Sequence, residues 1–221
     1  VLVDDSPVDK PGTRVAGEAV LRLRGGGRRF VSRGGEKLAG ALADLSIDPR
    51  GCTCLDIGAS TGGFSDCLLQ AGARAVVAVD VGYGQLDFRL RQDARVRVLE
   101  RTNARHLQAV QVPETVDLVV IDVSFISATL ILPRLPEVAP GADVLVMVKP
   151  QFEVGRDQVG KGGVVRDARA RQGAADRVVE AARREGYREV ARADSRLSGP
   201  KGNLEIFLLL RATDQDRSGP V

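Results

Sequence analysis

Short continuous apolar runs alternate along this chain with stretches in which apolar residues recur every three or four positions. Residues 52–57, 75–80, 116–122 and 143–149 are runs of the first kind. Bounded by turn residues, such runs read as strands buried on both faces. Residues 96–99 form a shorter strand. Pro150 closes the 143–149 run, because proline has no N–H to give to a ladder. The helical period predicts helices over 64–71, 85–92 and 127–138, the last broken by Pro133 and Pro136. Another is predicted within 32–48, with Leu38, Leu42 and Leu45 on its apolar face and Lys37 beside them. Residues 166–186 read as an Arg/Glu-rich helix stopped at Gly186. Residues 188–193 and 204–210 read as strands whose short link, SRLSGPKGN, demands an antiparallel pair. The alternation as a whole predicts an α/β fold with a doubly wound, mostly parallel sheet.

The ends of the chain read differently. Residues 1–15 carry a short strand, a turn and a Pro-Gly stop, too little for a core. Residues 16–33 hold Arg22, Arg24, Arg28, Arg29 and Arg33 around Gly25-Gly26-Gly27. They read as a flexible basic linker able to lie along phosphates, or as a merely solvated charge run. Residues 213–221 are expected to be a disordered tail. The loop over 151–165, QFEVGRDQVGKGGVV, is long and Gly-rich. At the carboxyl edge of a sheet such a loop is expected to face substrate as a lid.

Composition narrows the class. With 221 residues, 43% hydrophobic and 28% charged, the chain has the make-up of a soluble globular domain with an appendage. No apolar stretch approaches the roughly 20 residues of a membrane span. The chain opens on Val1 rather than Met, so further residues upstream are expected. Net charge is only +3, but the arginines cluster, and local patches decide nucleic-acid binding. At 4% aromatic residues, base stacking on aromatic platforms is not expected to be the main recognition mode. Cys52, Cys54 and Cys67 read as small buried hydrophobes in a reducing compartment, and no metal site is expected. His106, the sole histidine, is expected at the surface or at a helix cap.

Chemistry gathers around CTCLDIGASTGGFSD, residues 52–66. Strand, glycine turn and helix let a ligand touch bare backbone at a helix N-terminus. The spacing is G-x-x-x-G-G, with Ser60 where a dinucleotide fingerprint has its second glycine. Asp80, at the end of the next strand, fits a grip on ribose hydroxyls. The D-x-G-x-x-x-G form resembles motif I of S-adenosylmethionine-dependent methyltransferases; NAD binding and a purely structural turn remain open on spacing alone. Asn103, after the third strand, is placed to meet an adenine edge. Lys37, Asp122, Lys149 and Glu205 also stand out; alone, each would be a solvated charge.

The ordered set SRGGEKL, LDIGASTGGFSD, DVSFIS, VKPQFE, GGVVRD and SGPKGNLE resembles the TlyA (hemolysin A) family of ribosomal RNA 2′-O-methyltransferases, whose catalytic domain is similar to FtsJ-type enzymes. The likeness spans about residues 30–210. It implies a seven-stranded, class I (Rossmann-like) methyltransferase sheet with an antiparallel last strand, over 34–212. It also implies that residues 1–15 are the remnant of an S4-like RNA-binding domain, joined through a linker at RRFV. Its K-D-K-E tetrad would fall on Lys37, Asp122, Lys149 and Glu205. S-adenosylmethionine would contact Asp56, Gly58, Ser60, Gly62, Gly63, Phe64, Asp80, Asn103 and Asp122. Arg24, Arg28, Arg29, Arg33 and Lys161 are the candidate RNA contacts. The implied partner is ribosomal RNA within ribosomal subunits, with cytidine as target, in the cytoplasm, and a monomer is expected. An FtsJ-like enzyme for another RNA, a non-catalytic RNA-binding protein and a membrane-active cytolysin are the alternatives. Lysine can act as a base only where burial or neighbouring cations favour its neutral form.

Overall fold

Apolar runs of the sequence become the inner strands of one seven-stranded sheet. In this computed structural model residues 1–8, 10, 12–22, 29–112 and 115–213 are described, with the backbone alone at Arg156. The first strands, β1 (Leu2–Val3), β2 (Ser6–Pro7) and β3 (Leu21–Arg22), form a small antiparallel sheet in the order β2-β1-β3. Then come helix α1 (Arg33–Asp44), strand β4 (Thr53–Ile57), helix α2 (Gly63–Gln70), β5 (Ala75–Val79), α3 (Phe88–Gln92), β6 (Val96–Leu99) and β7 (Leu118–Ile121). The chain continues through α4 (Leu135–Val138), β8 (Asp143–Val148), α5 (Pro150–Glu153), α6 (Ala168–Arg184), β9 (Tyr187–Asp194) and β10 (Ile206–Ala212). The large sheet runs β6-β5-β4-β7-β8-β10-β9. Its first five strands are parallel, and β10 is antiparallel to both neighbours.

The continuous apolar runs are explained by layers on both faces. Along β7, Leu118 and Val120 join α1, α2 and Phe207 on one side, with Leu38, Leu42, Phe64 and Leu68. Val119 and Ile121 join Ile131, Leu135, Ala175 and Val178 on the other. The strand order reverses between β4 and β7, which is where open α/β sheets hold ligands.

Three segments depart from the sequence pattern. The helix expected over 127–138 is two 3-10 turns, Ala128–Leu130 and Leu132–Arg134, followed by α4, because Pro133 and Pro136 cannot supply helical N–H donors. The helix expected over 85–92 begins only at Phe88, where the Asp87 side chain accepts from Arg89 N at 2.9 Å as N-cap. The loop expected over 151–165 opens with α5, with Pro150 at its first turn.

The segment expected to be a flexible linker is ordered in part. Leu21–Arg22 pair with Leu2–Val3. From Arg29 onward it is packed on the domain. Phe30 is 2% exposed, Val31 N donates to Asp66 Oδ2 at 2.8 Å, and Gln70 Nε2 donates to Arg29 O at 2.9 Å. Thr213 N donates to Gly186 O at 2.8 Å, and residues 214–221 of the expected tail lie outside the described residues.

Candidate active site

Strand register sets the site. Ile57 stands beside Ile121, Ile121 beside Val146, and Val148 beside Ile206. Gly58, Asp122 and Lys149 therefore leave the sheet at the edge where Glu205 enters it. Residues up to 168 apart in sequence meet there.

The β4–α2 turn lies directly on backbone. Gly58 has φ +89°, and a Cβ on it would stand 2.5 Å from the Asp122 carbonyl oxygen. Only glycine fits at that distance and angle. The turn is also tied to β5: Ser60 N donates to Asp80 Oδ2 at 2.8 Å, and Gly82 N donates to Asp80 Oδ1 at 2.6 Å. The Asp80 carboxylate is thus held at the wall of a cavity of about 460 Å³, which Asn103, Gln85, Val81, Phe125 and Ile131 also line. A carboxylate and a carboxamide among apolar walls suit a nucleoside. Asn103 caps the next 3-10 turn through Oδ1, which accepts from Arg105 N at 3.1 Å.

A second cavity, of about 430 Å³, adjoins the first at Gly58, Ser60, Asp122 and Ser124. It holds two lysine–carboxylate pairs. Lys37 Nζ lies 2.5 Å from Glu205 Oε2, with Lys37 only 6% exposed. Lys149 Nζ lies 2.5 Å from Asp122 Oδ1 and donates to Ser124 Oγ at 2.7 Å. Burial pushes the Glu205 carboxyl up, while the hydrogen bond from Lys37 and the charges of Lys37 and Lys149 oppose it. The second pair is thus close enough to act on the first. Lysine on α1 would ordinarily be solvated; its partner Glu205, just before β10, explains its burial.

A third cavity, of about 420 Å³, opens from Ser124, Lys149 and Glu205 toward Phe125, Val159 and Lys201. Residues 151–165 wall it on one side. Asn203 ties that wall down: Nδ2 donates to Gly163 O at 2.8 Å, and Oδ1 accepts from Val165 N at 3.0 Å.

Of the residues singled out in the sequence, Gly58, Ser60, Gly63, Phe64, Asp80, Asn103 and Asp122 line the first two cavities. Asp56 and Gly62 line neither. Gly62, at φ +94°, caps α2, and Asp56 is fully buried beneath the turn. Ser65 Oγ donates to Asp56 Oδ2 at 2.6 Å, and Oδ1 has no partner. Burial raises the Asp56 pKa to about 7 against the lowering effect of Ser65. Arg33 lines the lysine cavity and donates to Ser198 O at 2.8 Å. Arg29 lies over the Phe30 ring, 4.7 Å from its centroid, and Lys161 is exposed. Arg24 and Arg28 lie outside the described residues. Cys54 and Cys67 are buried, and desolvation raises both thiols. Among the described residues, no cluster of three His, Cys, Asp or Glu side chains could hold a metal ion, and no helix is long and apolar enough to cross a membrane.

Sequence reasoning missed two residues. Ser124 sits in the DVSFIS stretch, two positions beyond Asp122, where the end of the strand could have flagged its hydroxyl. Glu153 accepts from Ser127 Oγ and, at 2.7 Å, from Ala128 N, a tie that no local pattern announces.

Residues 30–212 match the family model of FtsJ-like methyltransferases. The chain is 50% identical over 220 residues to the 16S/23S rRNA (cytidine-2′-O)-methyltransferase TlyA of Mycobacterium tuberculosis, a match covering 99% of this chain and 82% of that protein. Its structure is similar to that of a Streptococcus thermophilus protein described as a hemolysin, at TM-score 0.82 and 42% identity, covering 95% of this chain and 75% of the other. Aeropyrum pernix fibrillarin, solved with S-adenosyl-L-methionine, shares the fold at TM-score 0.55 and 17% identity, over 79% and 74% of the two chains.

Proposed function

The chain belongs to the FtsJ-like methyltransferase family, and from that premise we propose that it methylates ribose 2′-oxygens of ribosomal RNA, with S-adenosylmethionine as methyl donor and cytidine as target. The observation that carries this reading is the meeting of two lysine–carboxylate pairs in one cavity that adjoins a nucleoside-sized cavity at Asp122. The base identity follows the name of the M. tuberculosis relative.

The residues around the glycine turn fit that donor. Asp80 offers a carboxylate to ribose hydroxyls, Asn103 a carboxamide to an adenine edge, and Gly58 to Gly63 bare backbone. When bound, the donor would supply an electrophilic methyl group on a sulfonium and, as the carbon–sulfur bond breaks, would keep that bonding pair and leave as a neutral thioether. Everything else falls to the side chains. A ribose 2′-hydroxyl attacks poorly until its proton leaves. Lys149 Nζ takes that proton, and the oxygen keeps the electron pair for its new bond to carbon. Lys37 donates to the same oxygen as negative charge grows there. Asp122 holds Lys149 and sets a carboxylate beside the cationic donor, while Glu205 holds Lys37. The carboxylates of Asp122 and Glu205 offset whatever charge the two amines carry, so neither amine is driven out by its neighbour.

Arg29, Arg33 and Lys161, together with Arg24 and Arg28, contact RNA phosphates in this reading. The protein works as a monomer on ribosomal subunits in the cytoplasm. The test is to incubate ribosomal subunits with the protein and isotopically labelled S-adenosylmethionine, then to map the label by mass spectrometry of nucleosides and fragments. The expected result is label on the 2′-oxygen of cytidine in ribosomal RNA. Label on a base, or only on a different RNA, contradicts the proposal.

A further inference from the structure

The DVSFIS stretch contributes more than its aspartate. We propose that Ser124 is a positioning residue for the reaction, one that aims the lone pair of Lys149 at the substrate hydroxyl. The inference rests on the reading of Lys149 as the base.

Valence limits how Lys149 can act. A neutral amine has two N–H bonds and one lone pair, arranged roughly as a tetrahedron around nitrogen. Lys149 Nζ donates to Ser124 Oγ at 2.7 Å and lies 2.5 Å from Asp122 Oδ1, an ion-pair contact in which that oxygen accepts no hydrogen bond. Ser124 Oγ fixes one N–H; with a second N–H turned to the adjoining Asp122 carboxylate, the lone pair can occupy only the remaining direction. Lys149 lines the lysine cavity and the third cavity, and Ser124 lines all three. The remaining direction therefore faces the space where a substrate oxygen would lie. After proton capture the new N–H occupies that same direction, the bond to Ser124 persists, and the ammonium stays paired with Asp122. No side chain has to turn during the transfer, which is what preorganisation requires. With Asp122 as its one partner, the amine could spin about its Cε–Nζ bond and point a hydrogen, rather than the lone pair, at the substrate.

Lys37 supplies the contrast. Among the described residues its ammonium has one partner, Glu205 Oε2. That leaves hydrogens free to donate toward the cavity and nothing to fix a lone pair. The two lysines are therefore built for different tasks, one to accept a proton and one to donate hydrogen bonds.

Two further features hold Ser124 in place. Phe125 has φ +69°, a left-handed conformation unusual for a non-glycine residue, which bends the chain directly after Ser124. Glu153 then ties Ser127 and Ala128 to α5, the helix that begins one residue after Lys149. The segment that presents the hydroxyl and the segment that presents the amine are thus braced to each other twice, through Lys149–Ser124 and through Glu153. Ser124 is itself exposed, so nothing in the core asks for a serine there.

The test compares S124A, S124T and S124C with the wild type in single-turnover methylation at saturating RNA and cofactor, alongside RNA KM and cofactor Kd by calorimetry. S124A is expected to lower the transfer rate about ten- to hundredfold, the scale of a misplaced reacting group, with KM and Kd unchanged. S124T restores the hydroxyl and returns most of the rate, there being open space for its methyl. S124C, a weak acceptor of similar shape, stays close to S124A. A merely structural serine would give the opposite order, with Cys tolerated and Thr not. An S124A enzyme with wild-type rate, or one whose loss is shared by KM or Kd, overturns the inference while leaving the methyltransferase reading intact. Failure of the wild type to methylate any ribose overturns that reading and this inference with it.

Discussion

Asp56 is the ionisable residue whose setting is least like water. Its carboxyl has no solvent exposure, one hydrogen bond from Ser65, and one oxygen without a donor. Desolvation raises its pKa from 3.8 to about 7, with Ser65 pulling the other way. The folded chain therefore keeps a proton that the unfolded chain gives up near pH 4. Stability from this group is complete below the unfolded value and is lost as pH rises through about 7. Full ionisation costs roughly 4 kcal/mol. Asp56→Asn should remove that slope: in urea melts between about pH 4 and pH 8 the wild type loses stability relative to the variant. Parallel pH profiles for the two would show that the buried carboxyl carries no linkage. At this scale the sequence was least informative. Lys37 reads locally as a solvated flank, because the acid that neutralises it, Glu205, lies at the entry to β10 and no nearby position hints at it.

Elements were more legible, and the failures have causes. Continuous apolar runs identify β4, β5, β7 and β8, since a strand covered on both faces leaves no polar alternation to confuse the reading. The helical period over 127–138 was misleading, since apolar spacing is kept where proline removes the helix's donors. The basic segment before α1 carries arginines as its most visible sequence feature, although Phe30 decides its fate. Its ring is buried against α1 so tightly that a Cβ on Gly35 would lie 2.4 Å from Phe30 Cβ. That contact packs the segment onto the first turn of α1, whose N-cap is Ser32. Phe30→Ala should cost about 3–5 kcal/mol in chemical denaturation, the range for an emptied aromatic site. A loss within about 0.5 kcal/mol, as at an ordinary surface position, would make this segment the free linker its composition suggests.

At the scale of the molecule, function follows from register. Parallel pairing of β4, β7 and β8 brings the glycine turn, Asp122 and Lys149 to one edge, and the antiparallel β10 returns Glu205 to it. A one-residue slip in β10 would turn Glu205 to the opposite face of the sheet and leave Lys37 buried without a counter-charge. This convergence could be anticipated only from the ordered motifs taken together, because no pairwise spacing in the chain encodes it. In the proposed reaction, binding and chemistry are separate duties of adjoining cavities: the glycine turn, Asp80 and Asn103 would hold the donor, and Lys149 would move the proton. The most direct measurement pairs calorimetric titration of S-adenosylmethionine with ribose methylation assays on Lys149→Ala. The account predicts that methyl transfer falls by about a hundredfold or more while cofactor Kd stays within about twofold of the wild type. A variant that loses affinity in step with activity, or that still methylates at the wild-type rate, would contradict it.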